Sequence, residues 1–178
     1  MNRVITAHRW LWLLLALSLS LSACGFHLRG QYQLPASLFR LHLQTSSPYD
    51  PFIQRLEQVL TTMKVVLLPT AAEANGVLVI HSMKSGQSLL SSSTTSQVNT
   101  YALTYTIVFS LQSPSGKVLL PSQSVSASQS YTVSSNDAIA GSSQEQQLQV
   151  QLYQDVIYQL FNQLSSKKVK AALDESKY

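Results

Sequence analysis

Tyr101-Ala-Leu-Thr-Tyr-Thr-Ile-Val-Phe-Ser-Leu-Gln112 alternates large apolar side chains with smaller or polar ones, at the two-residue period of a β-strand. Aromatic and β-branched residues in such a pattern are typical of a strand with one buried face. A hairpin turn signal, Ser-Pro-Ser-Gly, occupies residues 113–116, and Val118 to Val133 returns as a strand that is interrupted or bulged near Pro121. The sequence therefore predicts a long β-hairpin.

Shorter strands are predicted upstream of this hairpin. Phe39 to Gln44 alternates strictly, as a half-buried strand does, and Val65 to Leu68 is a short apolar run. Val77 to Met83 is the next predicted strand. The Ser/Thr/Gln-rich stretch from Ser85 to Thr100 fits either a flexible hairpin loop or an extension of the flanking strands, and its pattern does not decide between them.

Two amphipathic helices accompany the strands. Asp50 can cap the first helix, and Pro51 suits its first position. Its apolar stripe consists of Phe52, Ile53, Leu56, Val59, Leu60 and Met63. The last helix is predicted to begin at a capping box formed by Ser142 to Glu145. Its apolar row consists of Leu148, Leu152, Val156, Leu160 and Leu164.

The element order β-α-β-β-β-β-α predicts a single α+β domain. We expect a two-layer sandwich in which a mostly antiparallel sheet of four to five strands has two helices packed on one face. The domain is expected to cover residues 24–178. Its charged tail, from about residue 166 to residue 178, is predicted to fray.

Residues 1–23 are typical of a bacterial lipoprotein signal peptide. Basic residues precede an apolar run from Trp10 to Leu21, and small residues then lead into Cys24, the only cysteine. Cleavage between Ala23 and Cys24 would leave Cys24 as an acylated first residue. Each methylene of its acyl chains would contribute about 0.8 kcal/mol to membrane anchoring. Gly25, in place of the Asp that typically retains lipoproteins at the inner membrane, favours the outer membrane.

Two alternatives for this segment are a conventional cleaved signal and a single transmembrane helix. A membrane span needs about 20 apolar residues. The apolar run is shorter than that, and Gly25, His27 and Arg29 follow it at once. The pattern therefore favours a lipoprotein of the bacterial envelope.

The balance of charge argues against a nucleic-acid-binding protein. The chain has 12 Lys and Arg and 8 Asp and Glu. Without Arg3 and Arg9 of the signal, ten basic and eight acidic side chains remain, and a net charge of +2 is too small for a nucleic-acid surface. Charged residues make up only 11% of the chain, and Ser, Thr and Gln take their place. Another protein can bury a surface of uncharged polar groups at low cost, because few unpaired charges are removed from water.

No catalytic or metal site is predicted. The sequence has no G-x-S-x-G, P-loop or H-E-x-x-H motif, and its acidic residues are few and scattered. His42 and His81 lie on predicted strands, but no carboxylate is near them in sequence to complete a metal set. We therefore expect a binding or structural protein without a cofactor, and not an enzyme.

The residues that follow the lipoprotein signal resemble a known family. Cys24-Gly-Phe-His-Leu-Arg-Gly30 is similar to the start of the mature lipopolysaccharide-assembly lipoproteins, the LptE (RlpB) family. Pro35, Tyr101 and Tyr153 also fit that family, and the sandwich of two helices and four strands is its fold. The resemblance extends over essentially the whole mature chain, and only the opening heptapeptide is specific.

This resemblance implies a non-enzymatic subunit of the lipopolysaccharide translocon. Such a subunit lies as a plug in the lumen of the β-barrel LptD, in a one-to-one complex. It helps the barrel to assemble and contacts lipopolysaccharide during insertion into the outer leaflet. The resemblance also implies that Phe26, His27, Leu28 and Arg29 form a tether and a barrel contact, and a simple linker packed on the sheet edge is the alternative.

This sequence matches the family less well in the residues that would contact lipopolysaccharide. Some family members carry basic residues between the middle strands and before the last helix, whereas Ser85 to Thr100 and Ala138 to Ser143 contain no Lys or Arg here. The remaining candidates for phosphate and acyl-chain contact are Lys84, Lys117, Leu89 and Leu90. The alternative function is that of a periplasm-facing accessory lipoprotein of another envelope lipid-transport complex.

Overall fold

A five-stranded sheet forms one layer of the structure. The computed structural model describes residues 34–93, 97–134 and 138–175, which belong to one compact unit. In chain order the strands are β1 (Arg40–Thr45), β2 (Val66–Leu67), β3 (Gly76–Ser93), β4 (Val98–Gln112) and β5 (Val118–Ser134). They lie side by side in the order β2-β1-β3-β4-β5. The predicted α+β class is confirmed. The sheet is mixed, because β1 runs parallel to both β2 and β3, while β3, β4 and β5 are antiparallel.

The Ser/Thr/Gln-rich stretch belongs to the sheet. β3 continues to Ser93, and β4 begins at Val98, directly opposite it. Of the two alternatives for this stretch, the extension of the flanking strands is the one that the described residues adopt. Polar side chains do not prevent this pairing, because the ladder of hydrogen bonds comes from the backbone.

Bulges divide β3 into segments. His81 and Leu90 are extra residues relative to β4, and the register shifts at each of them. Between these bulges, Ser82 to Leu89 pairs with β4 in unbroken register. On the other side of β4, the pairing with β5 also shifts near Pro121. The bulge predicted at this proline is therefore confirmed.

Helix α1 (Pro51–Thr62) begins where the sequence predicts. Asp50 is its N-cap, and a carboxylate oxygen of Asp50 accepts a hydrogen bond of 2.8 Å from the backbone amide of Phe52. The buried residues of this helix are Phe52, Ile53, Leu56 and Leu60. They are part of the predicted apolar stripe, which faces the sheet.

Helix α2 (Ala138–Leu164) begins four residues before the predicted capping box, so the predicted start is wrong. Ser142 and Ser143 lie inside the helix rather than at its cap. Gly141 lies close to strand β5, where an added Cβ would come within 2.8 Å of a methyl carbon of Val133. A glycine at this position lets the first turns of α2 lie against the strand.

Helix α3 (Lys167–Glu175) takes the place of the tail that was expected to fray. Val169 and Leu173, four residues apart, are both buried in the main core, whereas Lys167, Lys168 and Lys170 are exposed. The prediction of a frayed tail is wrong for residues 167–175. The tail therefore has a short amphipathic pattern, in which the apolar residues lie on the buried side of the helix and the lysines on its exposed side.

The core lies on one face of the sheet. On β4 it takes every second residue, namely Leu103, Tyr105, Ile107, Phe109 and Leu111. All three helices contribute side chains to this single cluster. None of the helices in the described part of the chain is long and apolar enough to cross a membrane. The predicted signal peptide, Ala23, Cys24 and the predicted contacts Phe26, His27, Leu28 and Arg29 lie outside the described residues.

Candidate binding surfaces

The face of the sheet opposite the core is broad and nearly uncharged, and is called the outer face below. On β4 and β5 it consists of Thr100, Ala102, Thr104, Thr106, Val108, Ser124, Ser126, Ser128, Ser130 and Thr132. Tyrosines aside, the only ionisable side chains in β3, β4 and β5 are His81 and Lys84. The face is polar because alternate residues of a strand point to the same side, and the alternate positions here are mostly Ser and Thr.

Hydroxyl groups pair across the strands of the outer face. Thr104 Oγ1 lies 2.9 Å from Ser128 Oγ, and Thr100 Oγ1 lies 3.2 Å from Thr132 Oγ1. A hydroxyl has one donor and two acceptor sites, so each of these groups keeps hydrogen-bonding capacity for a partner. None of these residues is among the contacts predicted from the sequence. The signal for them is the alternation of serine at residues 122–130, Ser-Gln-Ser-Val-Ser-Ala-Ser-Gln-Ser.

The second half of β3 is exposed on both faces. Every residue from Lys84 to Ser93 is exposed, whereas Gly76–Ile80 is buried except for the partly buried Val79. Leu89 and Leu90 are 56% and 59% exposed. β1 pairs with β3 only as far as the end of the buried segment. Beyond that point the described structure gives β3 one strand neighbour, β4, and its other edge is free.

A polar cluster supports this exposed half from the core side. The hydroxyl of Tyr131 donates a hydrogen bond of 3.1 Å to the carboxylate of Glu145 and accepts one from the side-chain amide of Gln87. The ring centroid of Tyr131 lies 5.7 Å from that of Tyr101. Burial raises the pKa of Tyr131, and its hydrogen bond to Glu145 raises it further. The cluster links β3, β5 and α2 through one neutral phenol.

A second tyrosine cluster lies near the start of α1. The ring centroid of Tyr105 lies 4.7 Å from that of Tyr153 and 5.4 Å from that of Phe52. The hydroxyl of Tyr105 is buried, and no described residue forms a hydrogen bond with it. Burial raises the pKa of Tyr105, and the nearby carboxylate of Asp50 raises it further. A phenol held neutral in this way contributes packing and is a poor nucleophile or base.

The structure separates the four candidate lipopolysaccharide contacts. Lys84 lies on the outer face of β3, opposite Thr106. Leu89 and Leu90 lie further along β3 at the far end of the sheet, about 17–20 Å from Lys84 at about 3.4 Å per residue. Lys117 lies in the turn that joins β4 to β5, about 20 Å from Lys84 in the opposite direction. The pair of leucines and the two lysines therefore mark three places on the surface.

The two strand histidines have separate partners. His42 Nδ1 lies 2.8 Å from the carbonyl oxygen of Leu68, and His81 Nε2 lies 2.9 Å from Ser110 Oγ. Within residues 34–93, 97–134 and 138–175, no group of three or more His, Cys, Asp or Glu side chains is placed to hold a metal ion. His42 and His81 therefore do not share a site in the described structure.

Comparison with protein families gives one match over most of the chain. Residues 40–164 match the family model LptE, described as lipopolysaccharide-assembly. This range extends from the first residue of β1 to the last residue of α2, so it includes the whole sheet and the two long helices.

Individual relatives match over shorter stretches. The LPS-assembly lipoprotein LptE of Photorhabdus laumondii is 43% identical over 47 residues, which are 26% of this chain and 26% of that protein. The protein of the same name from Pectobacterium atrosepticum is 40% identical over 50 residues, which are 28% of this chain and 27% of that one. The chain therefore matches about a quarter of the length of these curated relatives.

Solved structures share the fold. An uncharacterized lipoprotein B from Nitrosomonas europaea superposes with a TM-score of 0.66 at 22% identity. The match covers 85% of this chain and 96% of that structure's chain. A minor lipoprotein from Acinetobacter baumannii has a TM-score of 0.61 at 21% identity, and the match covers 74% of this chain and 93% of that one. The rare lipoprotein B from Shewanella oneidensis has a TM-score of 0.54 at 20% identity, and the match covers 77% of this chain and 95% of that one.

Proposed function

This chain belongs to the lipopolysaccharide-assembly family LptE, and we propose that it acts in that assembly as a binding subunit enclosed by the outer-membrane β-barrel LptD. The matching relatives are named LPS-assembly lipoproteins. The proposed role includes no catalytic step. One copy of the chain would occupy one barrel.

The outer face is the observation that carries this proposal. A plug must bring a large surface into contact with a barrel wall, and each unpaired charge that it buries there costs several kcal/mol. The outer face replaces charges with hydroxyls, which can be satisfied by polar groups or water on the wall. Lys84 is the one lysine or arginine on β3, β4 and β5, and Arg40 at the start of β1 donates a hydrogen bond of 3.1 Å to the backbone carbonyl of Glu73.

The segment before the described residues would hold the subunit at the membrane. An acylated Cys24 would insert into the inner leaflet of the outer membrane. Phe26, His27, Leu28 and Arg29 would connect this anchor to the domain and contact the barrel. We expect the Cys24→Ala variant, produced without residues 1–23, to fold normally and to stay in the soluble fraction, because it carries neither the apolar signal nor acyl chains.

Lipopolysaccharide contact would be divided between two kinds of group. Leu89 and Leu90 are exposed at the far end of the sheet, where they are available to acyl chains. Lys84 and Lys117 are the candidates for the phosphates. Because these groups lie about 17–20 Å or more apart along the sheet, they suit a large amphiphile better than a small ligand.

The test is an affinity purification of the tagged chain from detergent-solubilised outer membranes, with its partner identified by mass. We expect one large β-barrel protein in an approximately equimolar amount. An inner-membrane transporter as the partner would instead support an accessory lipoprotein of a different transport complex. Recovery of the chain alone would also contradict the proposal.

A matched pair of variants tests the role of the outer face in the same purification. Thr104→Lys places a charge in the middle of the outer face, whereas Gln154→Lys places the same charge on the exposed side of α2. We expect the first variant to reduce the recovered barrel at least about tenfold and the second to change it little. Equal recovery with both variants would show that the outer face is not the contact.

A further inference from the structure

We propose that the free edge of β3 between its two bulges, Ser82–Leu89, receives an extended segment of the barrel protein as an additional strand. This inference rests on the proposed function, because the barrel is the partner that it concerns. It adds a contact made by the backbone of one strand to the contact made by side chains of the outer face.

The backbone of Ser82–Leu89 supplies the binding groups. In an antiparallel pair, successive residues alternate between bonding their neighbour strand and pointing their amide and carbonyl groups the other way. Since β4 is the one strand beside this segment in the described structure, half of these groups face the free edge. The register with β4 is unbroken here, so the free groups have the regular spacing that another strand requires.

Strand β1 shows that this edge accepts a strand. It pairs in parallel with Gly76–Ile80, the part of β3 that precedes the first bulge, and it ends at Thr45. A depression of about 330 Å³ lies where it ends, lined by Gln44, Thr45, Ser46, Val79, Ile80 and His81. An added strand beside Ser82–Leu89 would continue the line of β1, with one end near this depression.

The opposite edge of the sheet is protected and serves as a comparison. The carbonyl oxygen of Ser126 on β5 accepts a hydrogen bond of 2.9 Å from the side-chain amide of Gln159 on α2. β5 also contains Pro121 at its bulge, and proline cannot donate to a ladder. β3 contains no proline, and Lys84 is its one charge apart from the histidine. Edge protection is therefore much weaker on β3 than on β5.

The side chains along the edge indicate the kind of segment that fits. Those on the outer face are Ser82, Lys84, Gly86 and Ser88, and those on the core side are Met83, Ser85, Gln87 and Leu89. The partner strand would be recognised mainly through its backbone, with one acidic side chain opposite Lys84. In that arrangement Lys117 would remain as the lysine for the phosphates. A second copy of β3 lacks such an acid, because the strand contains no Asp or Glu. This favours a strand from another protein.

Hydrogen–deuterium exchange compares the isolated chain with its purified barrel complex. We expect the amides of Ser82–Leu89 that face the free edge to exchange at least about 100-fold more slowly in the complex. The amides of Ile107–Leu111 on β4, between two strands, should be protected in both samples. Fast exchange of Ser82–Leu89 in an intact complex would overturn the strand-addition proposal and leave the proposed function standing. Failure to recover any complex would count against the proposed function itself.

Two neighbouring proline substitutions test the edge directly. Because amide directions alternate, one of Ser85→Pro and Gly86→Pro removes an amide bonded to β4, and the other removes an amide at the free edge. The variant that keeps wild-type stability in urea identifies the free-edge position. We expect that stable variant to recover at least about tenfold less barrel, and undiminished recovery would contradict the proposal.

The mass of the isolated chain in solution tests the other occupant. We expect a monomer at micromolar concentration. A dimer whose Ser82–Leu89 amides are already protected in the absence of the barrel would show that a second copy of this chain occupies the edge, and would overturn the proposal.

Discussion

The two halves of β3 share one backbone conformation and have opposite surroundings. Gly76–Ile80 lies between two strands and contributes Leu78 and Ile80 to the core, and Leu78 is completely buried. Within the described residues, Lys84–Ser93 has one strand neighbour, and each of its side chains is exposed. The first half is stabilised by apolar burial, at about 25 cal/mol per Å². The second half depends on its backbone ladder and on cross-strand pairs, which contribute about 0.2–1 kcal/mol each.

This difference shows how one strand can serve two purposes. The buried half fixes the position of β3 in the fold, and the exposed half extends from it as a surface. Substitutions in the second half should therefore alter binding without unfolding the domain, and substitutions in the first half should do the reverse.

An aspartate in each half gives the largest expected contrast. Leu78→Asp places an unpaired charge in the core and should lower the free energy of unfolding by more than about 4 kcal/mol, enough to prevent folding. Leu89→Asp places the same charge at an exposed position and should change stability by less than about 0.5 kcal/mol. Urea unfolding followed by circular dichroism measures both. Similar losses for the two variants would mean that the exposed half is covered in solution.

Removing one hydroxyl tests the cluster that supports the exposed half. Tyr131→Phe deprives Glu145 and Gln87 of their shared partner and should cost about 1–3 kcal/mol. Tyr105→Phe is the matched control, because the hydroxyl that it removes has no partner among the described residues. It should leave stability unchanged or raise it slightly. A larger loss for Tyr105→Phe than for Tyr131→Phe would contradict this assignment.

The two glycines of β3 give a smaller contrast of opposite sign. A Cβ on Gly76 would lie 3.0 Å from a methyl carbon of Leu38, so Gly76→Ala should cost about 1 kcal/mol as this methyl shifts. A Cβ on Gly86 would meet no described atom within 4 Å, and Gly86→Ala should add about 0.5 kcal/mol by restricting the unfolded chain. Urea midpoints should therefore move in opposite directions. A lower free energy of unfolding for Gly86→Ala would show that another group lies close to Gly86.

The tyrosines give a pH effect that is absent near neutrality. The pKa values of Tyr105, Tyr131 and Tyr153 are all raised in the folded protein, mainly by burial. Their contribution to stability is complete below the unfolded value near 10. As the pH rises above 10, the unfolded chain loses these protons first, so the free energy of unfolding falls. Unfolding curves between pH 8 and pH 11 should show this fall, and Tyr105→Phe should make it less steep. Stability that is constant up to pH 11 would exclude the effect.

Much of this fold can be predicted from periodicity. The strict alternation of Tyr101 to Gln112 and the stripe from Phe52 to Leu60 each place one face in the core, and the structure has them there. The start of α1 is predictable because Asp50 and Pro51 are strong local signals with a direct physical cause.

Other elements depend on contacts that periodicity does not reveal. The exposed half of β3 has no apolar alternation, and only pairing with β4 makes it a strand. Helix α2 extends past its predicted start because Gly141 fits against Val133, a tertiary contact. Helix α3 has two apolar anchors among lysines, too few to be distinguished from a solvated tail. The hydroxyls of the outer face are visible in the sequence as alternating serines, but their cross-strand pairing requires the register of β4 and β5.

The hydroxyl pairs of the outer face have a further consequence for how salt would act on binding. At physiological ionic strength the Debye length is about 8 Å, and dissolved ions largely screen exposed charges that are farther apart than this. The same ions have little effect on contacts between neutral dipoles. The outer face presents Thr104, Ser128 and their neighbours in place of charged groups. A complex formed through this face would keep nearly the same affinity at low and at high salt concentration.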